Sequence, residues 1–264
     1  MLWISLYLLM QVLVTTGQGF VYLLQFMIFR HREISPKQIE AMLDRNVLPM
    51  LIISALLSLL IYWIAFRVKR KNLWNYCRFS KPRMSVVLLA VVLGVSFNLL
   101  FLTFDMVTSF DQLFPDYDQV VEPLLGGGFG FTLMIAGILI PIFEEILFRG
   151  MVFNRIKAFL PVGIAIGLQG FLFGAYHLNI LQGIYGMILG VLAALVYQWF
   201  GSLWVPVAVH IAFNSFSIII SRIPNIEIIF QQGILLLIGS GALLVLTLFS
   251  LWQSHRAVFK LKSF

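Results

Sequence analysis

Residues 129–159 read FGFTLMIAGILIPIFEEILFRGMVFNRIKAF. An apolar run of about 20 residues, rising about 1.5 Å each, crosses the roughly 30 Å hydrocarbon layer of a bilayer as a helix. This stretch is long enough to do so. Yet Glu144, Glu145 and Arg149 lie in its middle. Ionisable groups at that depth are costly and mark function by default.

Seven more apolar runs surround it. They are Trp3 to Phe29, Val47 to Phe66, Met84 to Phe104, Val162 to Leu178, Leu181 to Phe200, Leu203 to Ile220 and Ile229 to Trp252. Breakers separate them at Ser35-Pro36, Lys81-Pro82, Pro115-Asp116, Gly126-Gly127-Gly128 and Pro161. Hydrophobic residues make up 61% of the 264 and charged residues 11%. That leaves too few charges to coat a soluble surface. The sequence therefore predicts an all-α, polytopic membrane helical bundle of about eight transmembrane helices, multi-pass in the cell membrane. It divides into an N-terminal region of three spans (1–125), a core (126–222), and a last span with its tail (223–264). The apolar N-terminus lacks a basic leader and reads as an uncleaved first span.

The net charge of +7 sits in short loops. No basic stripe with interleaved aromatics occurs, which argues against a nucleic-acid partner. The loop from Arg67 to Arg83 has seven bases and no acid, whereas Asp105 to Leu125 has five acids and no base. Positive residues mark the cytoplasmic side, so the two loops face opposite sides with both termini inside. The loop bearing Arg30, Arg32, Lys37 and Arg45 then falls outside, against its own charge. The lone Cys77 cannot form an intramolecular disulfide. Gly167, Gly170 and Gly174, then Gly183, Gly186 and Gly190, are spaced for close helix packing. Asn98, Gln169 and Gln198 read as polar contacts between helices.

Three spans carry polar groups that lipid does not explain. Glu145 and Arg149 are four apart, acid first, and can pair. Glu144 lies about 100° round the helix and is left over for chemistry. His177 ends Phe173-Gly174-Ala175-Tyr176-His177, and His210 and Asn214 share a face four residues apart. Counting up from the basic side at about 1.5 Å per residue places Glu144 at roughly 20 Å, His177 at roughly 24 Å, Asn214 at roughly 18 Å and His210 at roughly 12 Å. A carboxylate and an imidazole at one level can deprotonate water. A second imidazole and an amide can stabilise an oxyanion. The same Glu144, His177 and His210 could instead hold a divalent metal such as zinc. Buried acids could also carry protons in a transporter, or the fold could serve as a silent scaffold. No internal repeat supports the transporter.

Glu144-Glu145-x-x-x-Arg149, Phe173-x-x-x-His177 and His210-x-x-x-Asn214, in this order on separate spans, resemble the motifs of the CAAX-protease and bacteriocin-processing family of intramembrane endopeptidases. The resemblance covers roughly Phe129 to Ile220. It implies that Glu144 and His177 activate water, that His210 and Asn214 hold the oxyanion, and that Glu145 and Arg149 support them. It implies a peptide or membrane-protein substrate, prenylated for part of the family, met among membrane lipids. Both metal-dependent and metal-free mechanisms are argued for the family. The absence of a His-x-x-x-His pair and the presence of Asn214 favour no cofactor. A site facing the basic side would suit a C-terminal tail as substrate.

Overall fold

The computed structural model describes residues 2–29, 45–224 and 233–262. Ser35-Pro36, the bases at 30, 32 and 37, and the expected start of the last span at Ile229 lie outside them. Among the described residues eight long helices form the bundle: α1 (Leu2–Phe29), α2 (Val47–Val68), α3 (Met84–Thr108), α4 (Phe129–Lys157), α5 (Val162–Tyr176), α6 (Ile180–Phe200), α7 (Trp204–Ile220) and α8 (Gly233–Lys262). No strand occurs among the described residues. In lipid a helix satisfies its own backbone, so the apolar runs have few alternatives. Six of the eight are long and apolar enough to cross a membrane. At 15 and 17 residues, α5 and α7 reach only about 22 and 25 Å. The shorter α7 carries His210 and Asn214, and α5 ends on His177 as its C-cap.

Small residues set the closest contacts. A Cβ on Gly94 of α3 would lie 2.1 Å from Val209 O of α7. A Cβ on Gly174 would lie 2.3 Å from Gly183 O, and one on Gly190 would lie 2.8 Å from Gly170 Cα, so α5 and α6 touch backbone to backbone. Gly167 departs from the expected stripe, since its Cβ would point into open space. Among the polar residues, Asn98 donates to Phe213 O at 3.2 Å, and Gln198 accepts from Lys157 Nζ at 3.1 Å. Buried Gln169 finds no hydrogen-bond partner among the described residues, contrary to the bridging expected of it.

The basic loop is folded onto the bundle. Leu203 N donates to Arg78 O at 2.9 Å, Ser80 Oγ to Gly201 O at 3.1 Å, and Tyr197 Oη to Cys77 O at 3.1 Å. The acidic loop lies at the other end of α3. Its helix Tyr117–Leu125 is tied to Arg222, whose Nη2 donates to Leu125 O.

Two turns of the basic loop close with a left-handed residue just beyond a helix end. After α2, Arg70 N donates to Arg67 O and Lys71 N to Phe66 O. After the helix Leu73–Tyr76, Arg78 N donates to Asn75 O and Phe79 N to Trp74 O. This is the pairing that usually ends on glycine. Here the positions hold Arg70 (φ 54°) and Arg78 (φ 58°), each costing about 1–2 kcal/mol relative to a right-handed residue.

Cys77 is fully buried in this loop. It packs so closely on Gly150 that a Cβ there would lie 2.5 Å from its sulfur. Burial pushes the Cys77 thiol up to about 12. It therefore holds about 10³-fold less thiolate than an ordinary cysteine at neutral pH. A maleimide at pH 7.5 is expected to leave the folded protein unlabelled and to label it fully after denaturation. Rapid labelling of the folded protein would show that the loop does not pack on α4.

Candidate active site

The path of α4 decides where the carboxylates land. It is α-helical at Ile140–Glu145, between π-helical segments at Leu133–Leu139 and Ile146–Phe153. Pro141 has no N–H to donate. In an α-helix that donor would serve Gly137 O, and in a π turn Ala136 O. Side chains of α7 take both carbonyls. Asn214 Nδ2 donates to Ala136 O at 3.1 Å, and Ser215 Oγ to Gly137 O at 3.2 Å. A neighbouring helix thus repairs the loss, as lipid demands.

Glu145 and Arg149 pair as their spacing predicts. Arg149 Nη1 donates to Glu145 Oε1 at 2.6 Å, with both side chains fully buried. Arg149 Nη2 also donates to Gly190 O at 3.2 Å, and the guanidinium lies 4.5 Å from the Phe173 ring centroid. His210 Nδ1 lies 2.8 Å from the same Glu145 Oε1. Facing a carboxylate, that nitrogen must carry the hydrogen. His210 Nε2 lies 3.6 Å from Glu144 Oε2, beyond a direct hydrogen bond. His210 thus links the two acids.

His177 caps the C-terminus of α5. Its Nδ1 lies 2.8 Å from Phe173 O. A carbonyl only accepts, so Nδ1 carries the hydrogen and Nε2 keeps its lone pair. A cavity of about 120 Å³ is lined by His177, His210 and Asn214 together with Tyr117, Val121 and Leu124 of the acidic-loop helix. Glu144 and Glu145 do not line this cavity; His210 connects them to it.

Three expectations change. His210, placed a turn nearer the basic side than Glu144, stands level with it, and Asn214 stands higher, at Ala136. The π segments wind more residues into each turn, which shortens α4 and lowers Glu144. Glu144 is also not left alone. The Tyr176 hydroxyl faces its carboxylate, and Tyr7 of α1 packs on Tyr176 and on Phe143, at 5.7 and 4.6 Å between ring centroids. Neither tyrosine was singled out from sequence, although a tyrosine inside an apolar span needs a polar partner. The cavity, finally, is lined by the acidic-loop helix and by no residue of the basic loop, whereas a site facing the basic side was expected.

Among the described residues no three of His, Cys, Asp and Glu are grouped to hold a metal ion.

No curated protein and no solved structure matches the chain. Residues 127–216 match the family described as type II CAAX prenyl endopeptidase, Rce1-like. That segment contains Glu144, Glu145, Arg149, His177, His210 and Asn214. Helices α1, α2, α3 and α8 lie outside it. Residues 127–216 of this polytopic helical bundle are therefore similar to the Rce1-like type II CAAX prenyl endopeptidase family.

Proposed function

We propose that the protein is an intramembrane endopeptidase of the cell membrane that hydrolyses a peptide bond with water activated by Glu144 and His177. The observation that carries this reading is the unequal treatment of the two acids. Arg149 and His210 both engage Glu145, whereas Glu144 keeps an oxygen 3.6 Å from His210 Nε2. A carboxylate so placed is free to take a proton.

In this mechanism water bound between Glu144 and His177 Nε2 attacks the scissile carbonyl carbon, and its proton passes to Glu144. The tetrahedral oxyanion accepts hydrogen bonds from His210 Nε2–H and from the Asn214 N–H not used on Ala136 O. His210 donates there as an imidazolium. Glu144, Glu145, Arg149 and His210 then sum to zero charge, which a buried cluster favours. Collapse breaks the C–N bond, and the leaving amine takes the proton from Glu144. No metal enters any step.

The substrate is a peptide or membrane protein presented within the bilayer; the family match suggests a prenylated tail, and processing of a bacteriocin-like peptide uses the same chemistry. Comparing membrane peptidomes from cells carrying wild-type and Glu144→Gln protein tests the reading. Cleavage products should disappear with the variant, and identical peptidomes would overturn the assignment. Elemental analysis of purified, active protein should find no stoichiometric zinc. Zinc lost together with activity, and restoring it on return, would move Glu144, His177 and His210 to a ligand set.

A further inference from the structure

The cavity farthest in character from the catalytic cluster sits where α2 meets the basic loop. It measures about 400 Å³ and is lined by Trp63, Arg67, Arg70, Lys71, Asn72 and Trp74 over buried Leu73. Three cations face one hollow. No carboxylate pairs with any of them among the described residues, where every ion pair belongs to the interior cluster of Glu144, Glu145, Arg149 and His210. The acids of the other loop are at the far end of α3, about 37 Å of helix away. Arg67 is steadied over the Trp63 ring at 5.2 Å. Arg70 occupies the left-handed position that would be relaxed with glycine. Mutual repulsion and an unfavourable backbone are thus both retained at one place, which is what an absent anion would offset.

We propose that this cup binds the phosphate of an anionic phospholipid headgroup. Membrane placement favours a lipid over a free anion. The cup caps a helix long and apolar enough to cross the membrane. Trp63 and Trp74 are 41% and 44% exposed beside it, as indoles are at a membrane interface. Val68, next to Arg67 in sequence, is 78% exposed and offers apolar surface to the glycerol and upper acyl chain. A cluster of basic side chains at this level attracts anionic lipid, each contributing about a fivefold gain in affinity.

The test uses full-length protein in nanodiscs of phosphatidylcholine, with and without one-fifth phosphatidylglycerol, and native mass spectrometry to count retained lipid. Phosphatidylglycerol should be retained preferentially. Arg70→Gly should weaken that retention about fivefold, with an unchanged or raised Tm because the backbone is relieved. Arg83→Gln removes one charge from the same loop outside the cup and should leave retention within about twofold, since the cup itself is untouched. Equal loss in both variants would mean diffuse surface charge and would overturn the site. So would retention of phosphatidylcholine equal to that of phosphatidylglycerol. Inorganic phosphate that competes as well as the lipid would make this a free-anion site and overturn the lipid assignment.

Discussion

Glu144→Gln is expected to lower peptide-bond hydrolysis by about 10²–10⁴-fold, the usual weight of a general base. Helical content and Tm should change little. Glutamine keeps the volume of the side chain and can still accept a hydrogen bond from the Tyr176 hydroxyl that faces it. It cannot take a proton from water. Glu145 cannot substitute, because Arg149 and His210 both engage its Oε1. Asn214→Ala makes a useful contrast. It should cost about 10²–10³-fold through the lost oxyanion donor, and it should also destabilise the fold, since Ala136 O loses its partner. A Glu144→Gln protein that cleaves at near the wild-type rate, with products sequenced to confirm the same site, would end the general-base assignment.

Much of the fold was legible because lipid narrows the choices. An apolar run of about 20 residues has to be a helix, so α2, α3, α4 and α6 begin where the hydropathy begins, within a residue or two. The Glu145–Arg149 pair was legible for a similar reason, because spacing along one helix nearly fixes geometry. What failed depended on relations between helices. The level of His210 against Glu144 could not be counted, because the count assumed one rise per residue along α4. A sign of the error was present in the sequence. Pro141 stands amid a span, and its missing donor has to be answered by a neighbour. Asn214 and Ser215 are that answer. Tyr7 illustrates a different limit. It reaches the site from α1, more than 130 residues before Glu144, and nothing in its local sequence connects it to the carboxylate.

Arg149→Met should be the most destabilising single substitution in the site, at about 3–5 kcal/mol, the cost of stripping one partner from a buried ion pair. Methionine fills much of the volume, so the loss is electrostatic rather than a cavity. It leaves the fully buried Glu145 carboxylate with His210 Nδ1 as its one remaining partner, at Oε1, while Oε2 has none. It also strips the carbonyls of Leu189 and Gly190 of a donor and removes a cation from the face of Phe173. The double variant Glu145→Gln, Arg149→Met separates structure from chemistry. It removes both charges together, and a neutral buried pair can be as stable as the ionic one. Thermal unfolding in detergent should therefore return most of the way to wild type. Activity should not return with it. The amide still accepts from His210 Nδ1, but a neutral acceptor holds that N–H more weakly than a carboxylate and no longer balances the charge of the donor ring. The oxyanion then loses a charged donor, at about 10²-fold or more in rate. A double variant that recovers stability and activity alike would make the Glu145–Arg149 pair mere structural glue and would remove His210 from the catalytic account.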